Sequence, residues 1–128
     1  MDIQAHLPHR SPLLLVDRVL EREPGVRVVA EKLLGADLPR PWGGVPGPFL
    51  LEMLAQAGGF LEAGSLHGTD LFLAGVGEAR FPAPAFPGDR LRLEVAPEGA
   101  FAGLMKLRGT VTCEGRELCT ASLLVKRR

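Results

Sequence analysis

The sequence predicts an α+β fold in which one long central helix packs against an antiparallel sheet of about six strands. Three observations carry this. Residues 48–65 are apolar almost all round, the pattern of a helix buried on most sides. The segments that follow alternate apolar and polar residues with the two-residue period of half-buried strands. Each of those segments is broken from the next by Gly or Pro.

In chain order, residues 13–21 begin with a continuous apolar run, and Glu23-Pro24-Gly25 is a turn signal leading into the valine-rich segment 26–34. This pair reads as two strands. Residues 35–47 are dense in Pro and Gly, hold few regular hydrogen bonds and read as a structured loop of the kind that shapes sites. The helix follows, with Gly47 placed to cap it, Pro48 suited to its first position, and Gly64 and Gly68 available to end it. Phe49, Leu50, Leu51, Met53, Leu54, Ala55, Ala57, Phe60 and Leu61 leave only Glu52, Gln56 and Glu62 as polar interruptions. A helix so apolar needs a sheet around it, and segments 71–79, 90–96, 104–113 and 117–126 supply one. Arg90, Arg92 and Glu94 alternate with Leu91, Leu93 and Val95, while Lys106, Arg108, Thr110 and Thr112 alternate with Met105, Leu107, Val111 and Cys113.

At 128 residues and 46% hydrophobic, the chain is expected to form a single domain, 1–128, with a core that needs no metal or disulfide staple. Lys and Arg number 15 against 15 Asp and Glu, which removes the global electrostatic argument for nucleic acid or an anionic membrane. The one basic run, Lys126-Arg127-Arg128, reads as a solvated tail or a contact for an acidic partner. Residues 1–10 are polar and unlike a signal peptide, and no apolar run approaches a membrane span, so a cytoplasmic location is expected. Cys113 and Cys119 flank a turn at Glu114-Gly115-Arg116 without histidine partners for zinc; they read as core thiols, with a disulfide the lesser alternative.

Glu52 is the leading candidate for chemistry. A carboxylate near the start of a mostly buried helix is costly unless it is paired, protonated or employed. Gln56 lies one turn further along the same face, where its amide is placed to orient the carboxyl group. The alternative is a carboxylate that complements the helix dipole or sits at a wet edge. Gly47 carries a parallel pair of readings: backbone N–H groups at a helix start can hold an oxyanion such as a polarised thioester carbonyl, or Gly47 is an ordinary cap. His6, His9 and His67 are isolated in sequence and read as structural or solvated. Arg80, Arg90 and Arg92 suit an acidic carrier or a phosphate, and equally suit solvated strand positions. The sequence contains no phosphate loop, dinucleotide fingerprint, metal cluster or nucleophile elbow.

Several stretches resemble one family, the 3-hydroxyacyl-acyl carrier protein dehydratases of fatty acid synthesis. Leu7-Pro-His-Arg-Ser-Pro-Leu-Leu-Leu-Val-Asp-Arg-Val19 is similar to the family's N-terminal signature over its whole length. Pro46-Gly47 followed by Glu52-Met-Leu-Ala-Gln56 resembles the start of its central helix, including the spacing from the Pro-Gly pair to the acid. Ala74-Gly75, Glu78-Ala-Arg-Phe81, Phe86-Pro-Gly-Asp89 and Leu91 are similar to its later strand and turn signature.

The resemblance implies a hot-dog fold, with the sheet wrapped around the helix, and a homodimer, or a higher oligomer built from dimers, with its sites between subunits. It implies that a histidine from one subunit and an acid from the other remove water from a 3-hydroxyacyl thioester carried on the phosphopantetheine of acyl carrier protein or coenzyme A. No other cofactor and no metal are implied. Carried over residue by residue, Glu52 is the catalytic acid, Gln56 its supporting amide and Gly47 the backbone donor to the thioester carbonyl. The histidine position, counted back from Glu52 without gaps, holds Leu38, and leucine cannot transfer a proton. Trp42-Gly43-Gly44 also replaces the family's usual Pro-Val pair. Three expectations follow: a dehydratase or hydratase of acyl thioesters, a noncatalytic acyl-thioester binder or partner subunit, and, less strongly, a thioesterase using a lone helix carboxylate.

Overall fold

The computed structural model describes residues 16–35, 44–61 and 71–127. Two strands, β1 (Arg18–Glu23) and β2 (Arg27–Leu33), precede helix α1 (Gly47–Gly58), which tightens into a 3-10 turn over Gly59–Leu61. Four strands follow: β3 (Leu71–Arg80), β4 (Arg90–Phe101), β5 (Leu104–Cys113) and β6 (Arg116–Arg127). All six form one sheet in the order β1-β2-β4-β5-β6-β3, and every neighbouring pair is antiparallel. The expected one-helix, six-strand α+β architecture is therefore present.

One face of the sheet supplies the core. Val28 and Ala30 from β2, Leu91, Leu93 and Val95 from β4, Leu107 and Val111 from β5, and Ala121, Leu123 and Val125 from β6 are all buried and belong to one cluster with α1. The period-2 pattern put these side chains on one face, and α1 packs against β2, β3, β4, β5 and β6. Helix and sheet meet at two glycines. A Cβ on Gly58 would lie 2.6 Å from Leu107 Cδ1, and one on Gly109 would lie 2.8 Å from Leu54 Cδ1 and 3.2 Å from Leu54 Cγ. Leu54 therefore occupies a notch in β5 that only glycine leaves open. Because the clash reaches the Leu54 branch point, Gly109→Ala is expected to destabilise the protein by about 1–3 kcal/mol through overpacking. An unchanged urea midpoint in that variant would refute the notch.

The structure corrects some boundaries. Gly47 is the first helical residue rather than the cap; Pro46 precedes it with φ −58° and ψ 142° and supplies no side-chain cap. The α-helix ends at Gly58, and the proposed terminators Gly64 and Gly68 lie outside the described residues. Strand β4 continues past Ala96 to Phe101 despite Pro97. Its pairing with β2 ends at Val95, so Pro97 has only β5 beside it, and a bulge follows between Pro97 and Gly99. A proline lacking an N–H is tolerated where no second strand needs one. The β5–β6 turn falls at Glu114-Gly115, both with positive φ, as a two-residue hairpin requires.

Cys113 and Cys119 are buried free thiols. Desolvation, with a smaller contribution from the nearby Glu117 carboxylate, pushes the Cys119 thiol up from 9.0 to about 11. Since the thiolate is the reactive species, Cys119 is expected to resist iodoacetamide in the folded protein at pH 8 and to react on unfolding. Mass-spectrometric labelling at Cys119 at native pH would contradict this.

Ion pairs on the opposite sheet face tie the first strands to β4. Arg27 reaches both Glu21 and, at 3.1 Å, Glu94, while Glu31 accepts from Arg18 at 2.8 Å and Arg90 at 3.2 Å. The exposed Arg27 pairs each contribute little, about 0–1 kcal/mol, while Glu31 is the more buried partner of its two arginines. The β1–β2 hairpin also clasps the end of the helical segment: Arg22 Nε donates to the Phe60 carbonyl at 2.7 Å, and the Gly25 amide donates to the Leu61 carbonyl at 2.8 Å.

Candidate active site

The start of α1 is built without a conventional cap. The first turn carries no acidic side chain, and Pro46 contributes only its carbonyl, which accepts from Phe49 N at 3.0 Å. As first helical residue, Gly47 has an N–H with no acceptor inside the helix. The positive end of the helix dipole is thus presented by backbone alone.

Glu52 stands out by its burial. From Leu50 to Gly58 every helix residue is buried except Glu52, which is partly exposed. Gln56, one turn on, is only 4% exposed. Neither lacks an interaction partner. Beyond its first turn, where Gly47, Pro48 and Phe49 are open, the helix reaches the surface at its single carboxylate. Among the described residues no cluster of His, Cys, Asp and Glu could hold a metal ion.

An apolar groove of about 480 Å³ adjoins the helix start, running between Val45–Leu50 and the loop Phe81–Ala85. Val45 N donates to the Ala85 carbonyl at 2.8 Å, fastening the loop to the segment entering the helix. The loop ends in the Phe86-Pro87-Gly88-Asp89 turn. There Gly88 has φ +93°, Phe86 N donates to Asp89 Oδ2 at 2.9 Å, and Gly88 N and Leu34 N bond to the Leu34 and Asp89 carbonyls. Pro then Gly at the turn centre with positive φ is the type II pattern.

The structure places Gly47, Glu52 and Gln56 on one helix. Of the arginines, Arg90 is engaged with Glu31, whereas no ion pair holds Arg80 or Arg92 among the described residues. His6, His9, Leu38, Trp42 and His67 lie outside the described residues. Sequence reasoning missed the groove walls Phe81 and Ala85. The available signal was Phe81-Pro82-Ala83-Pro84, a stretch too proline-rich to continue a strand and therefore free to line a site.

Among solved structures, the dehydratase heterocomplex ApeI:P from Xenorhabdus doucetiae superimposes with a TM-score of 0.83 at 22% identity, covering 100% of this chain and 91% of that one. The helix and sheet are those of the hot-dog class. No family model matches the chain. Two curated relatives, each called 3-hydroxyacyl-[acyl-carrier-protein] dehydratase FabZ, are closer in sequence. The protein from Roseiflexus castenholzii is 40% identical over 131 residues, covering 96% of this chain and 92% of the relative. That from Chloroflexus aggregans is 42% identical over 131 residues, covering 96% and 91%. The chain belongs to the 3-hydroxyacyl-acyl carrier protein dehydratase family.

Proposed function

We propose that the protein acts on 3-hydroxyacyl thioesters, removing water to give the 2-enoyl thioester, with the thioester delivered by acyl carrier protein. The observation that carries this is Glu52, the one partly exposed position in an otherwise buried stretch of helix whose start presents the Gly47 amide. Gly47 lies five residues before Glu52, about 7.5 Å along the axis. Five residues also turn the helix by about 140°, so the Gly47 amide and the Glu52 carboxyl of one helix face different sides, and a substrate reaching both is shared between two copies of the chain. With the carbonyl on the Gly47 N–H, the C2 proton becomes more acidic; Glu52 protonates the C3 hydroxyl, which leaves as water, while the C2 proton passes to water or to a group of a second subunit. Gln56 orients the carboxyl group.

The relatives' name supports acyl carrier protein as the carrier rather than coenzyme A. Arg80 and Arg92, without carboxylate partners among the described residues, suit an acidic carrier. We further place two copies of the chain edge to edge through β3. It lies at the margin of the sheet with no strand beyond it among the described residues, and it leaves Val76 41% exposed.

The test is hydration of a crotonyl thioester by the purified protein. Absence of turnover, together with no difference between wild type and Glu52→Ala, would sink the reading. A second reading is a partner subunit that binds acyl thioesters without turning them over. It is favoured by Leu38 where the family resemblance, counted without gaps, implies a histidine, and by a structural neighbour that is itself a dehydratase heterocomplex. Robust turnover by the homogeneous protein, free of any second chain, excludes it.

A further inference from the structure

We propose that Phe81 is a positioning and specificity residue: its ring forms the side wall of the groove beside Gly47 and sets the width open to the thioester arm. This rests on the reading of Gly47 given above. The ring packs directly on that glycine. A Cβ added at Gly47 would lie 2.8 Å from Phe81 Cζ and 2.9 Å from Cε1, closer than real Cβ atoms approach, and 3.2 Å from Cε2. At neighbouring Gly44 the same construction meets nothing nearer than 3.4 Å. The glycine at the helix start therefore answers to Phe81 and not only to the backbone.

Two features show that Phe81 serves the groove rather than the core. It is 45% exposed and stands outside the core cluster, although Phe60 on the same helical segment is fully buried. It also directly follows β3, the strand at the sheet margin, and opens the loop whose Ala85 carbonyl is fastened to Val45. The ring on Gly47 and the Ala85–Val45 hydrogen bond hold the two groove walls at two points. Between them lie Pro82 and Pro84, which have no N–H, so this wall offers carbonyl acceptors and apolar surface without side-chain charge. An uncharged arm with amide N–H groups matches that lining. Phe81 faces it with an aromatic ring half open to solvent.

The experiment is calorimetric titration of the purified protein with a 3-hydroxybutyryl pantetheine thioester. Phe81→Ala is expected to raise Kd about tenfold, and Phe81→Leu, which keeps an apolar wall without the ring tip, to fall between. Gly47→Ala alone is expected to weaken binding, because its methyl group displaces the ring. In the Gly47→Ala/Phe81→Ala double variant the ring is gone, so the combined loss should be smaller than the product of the two single losses. A ring that merely supports the fold would instead give independent losses and a lowered melting temperature. Wild-type binding with an unchanged Kd in Phe81→Ala, or losses that multiply, overturns the role of Phe81 alone. No binding by wild type overturns the reading of the site, and this inference with it.

Discussion

Replacing Glu52 with Gln is expected to lower turnover of a 3-hydroxyacyl thioester by about 10²- to 10⁴-fold, the usual contribution of a positioned proton-transfer group. The amide keeps the size and much of the hydrogen-bonding shape of the carboxyl group and removes only its exchangeable acid proton. Substrate affinity should therefore change little while kcat falls, the signature of an interaction made in the transition state. The fold should survive, because Glu52 is the one residue between Leu50 and Gly58 that is not fully buried. Steady-state kinetics alongside thermal melts separate the two effects. A variant with wild-type kcat would show that Glu52 complements the helix dipole and transfers no proton.

The second large effect lies at the other end of the helical segment. Phe60→Ala is expected to cost about 3–5 kcal/mol, the range for emptying a buried aromatic site. That is a large part of the 5–15 kcal/mol typical of a folded domain. Phe60 is 1% exposed, and the Arg22 guanidinium stands 5.8 Å from the centre of its ring. The variant removes that cation–π contact, worth about 0.5–1 kcal/mol at exposed sites and more where desolvated. It keeps the hydrogen bond from Arg22 Nε to the residue-60 carbonyl. Part of the clasp from the β1–β2 hairpin thus remains, and the loss measures the side chain. A drop in the urea midpoint at constant m-value would register it; a loss below about 1 kcal/mol would mean the site collapses without penalty.

The fold was legible because its two periodicities are strong. The alternation through Arg90–Val95 and Leu104–Cys113 assigned inward and outward faces, and burial follows it at Leu91, Leu93, Val95, Leu107 and Val111. The apolar run after Pro48 could only be a buried helix. Boundaries were less legible where a residue's local preference is overridden by what lies beside it. Pro97 is a strand breaker when two neighbours need its N–H, but β2 has already ended there. Gly47 is a natural cap by propensity, yet it enters the helix as its first residue.

The candidate site divides in the same way. By itself the sequence singled out Gly47, Glu52 and Gln56 as candidates and placed them on one helix, because their relation is local: one helix, fixed spacing, and a carboxylate out of place in an apolar run. Only the tertiary structure decided that Glu52 alone opens to the surface between Leu50 and Gly58, and that Phe81 lies against Gly47. Those facts depend on how β3 and its loop return to the helix start after more than twenty intervening residues. Helix periodicity governs neighbours a turn apart, whereas contacts between distant segments are set by the packing of the whole sheet against α1.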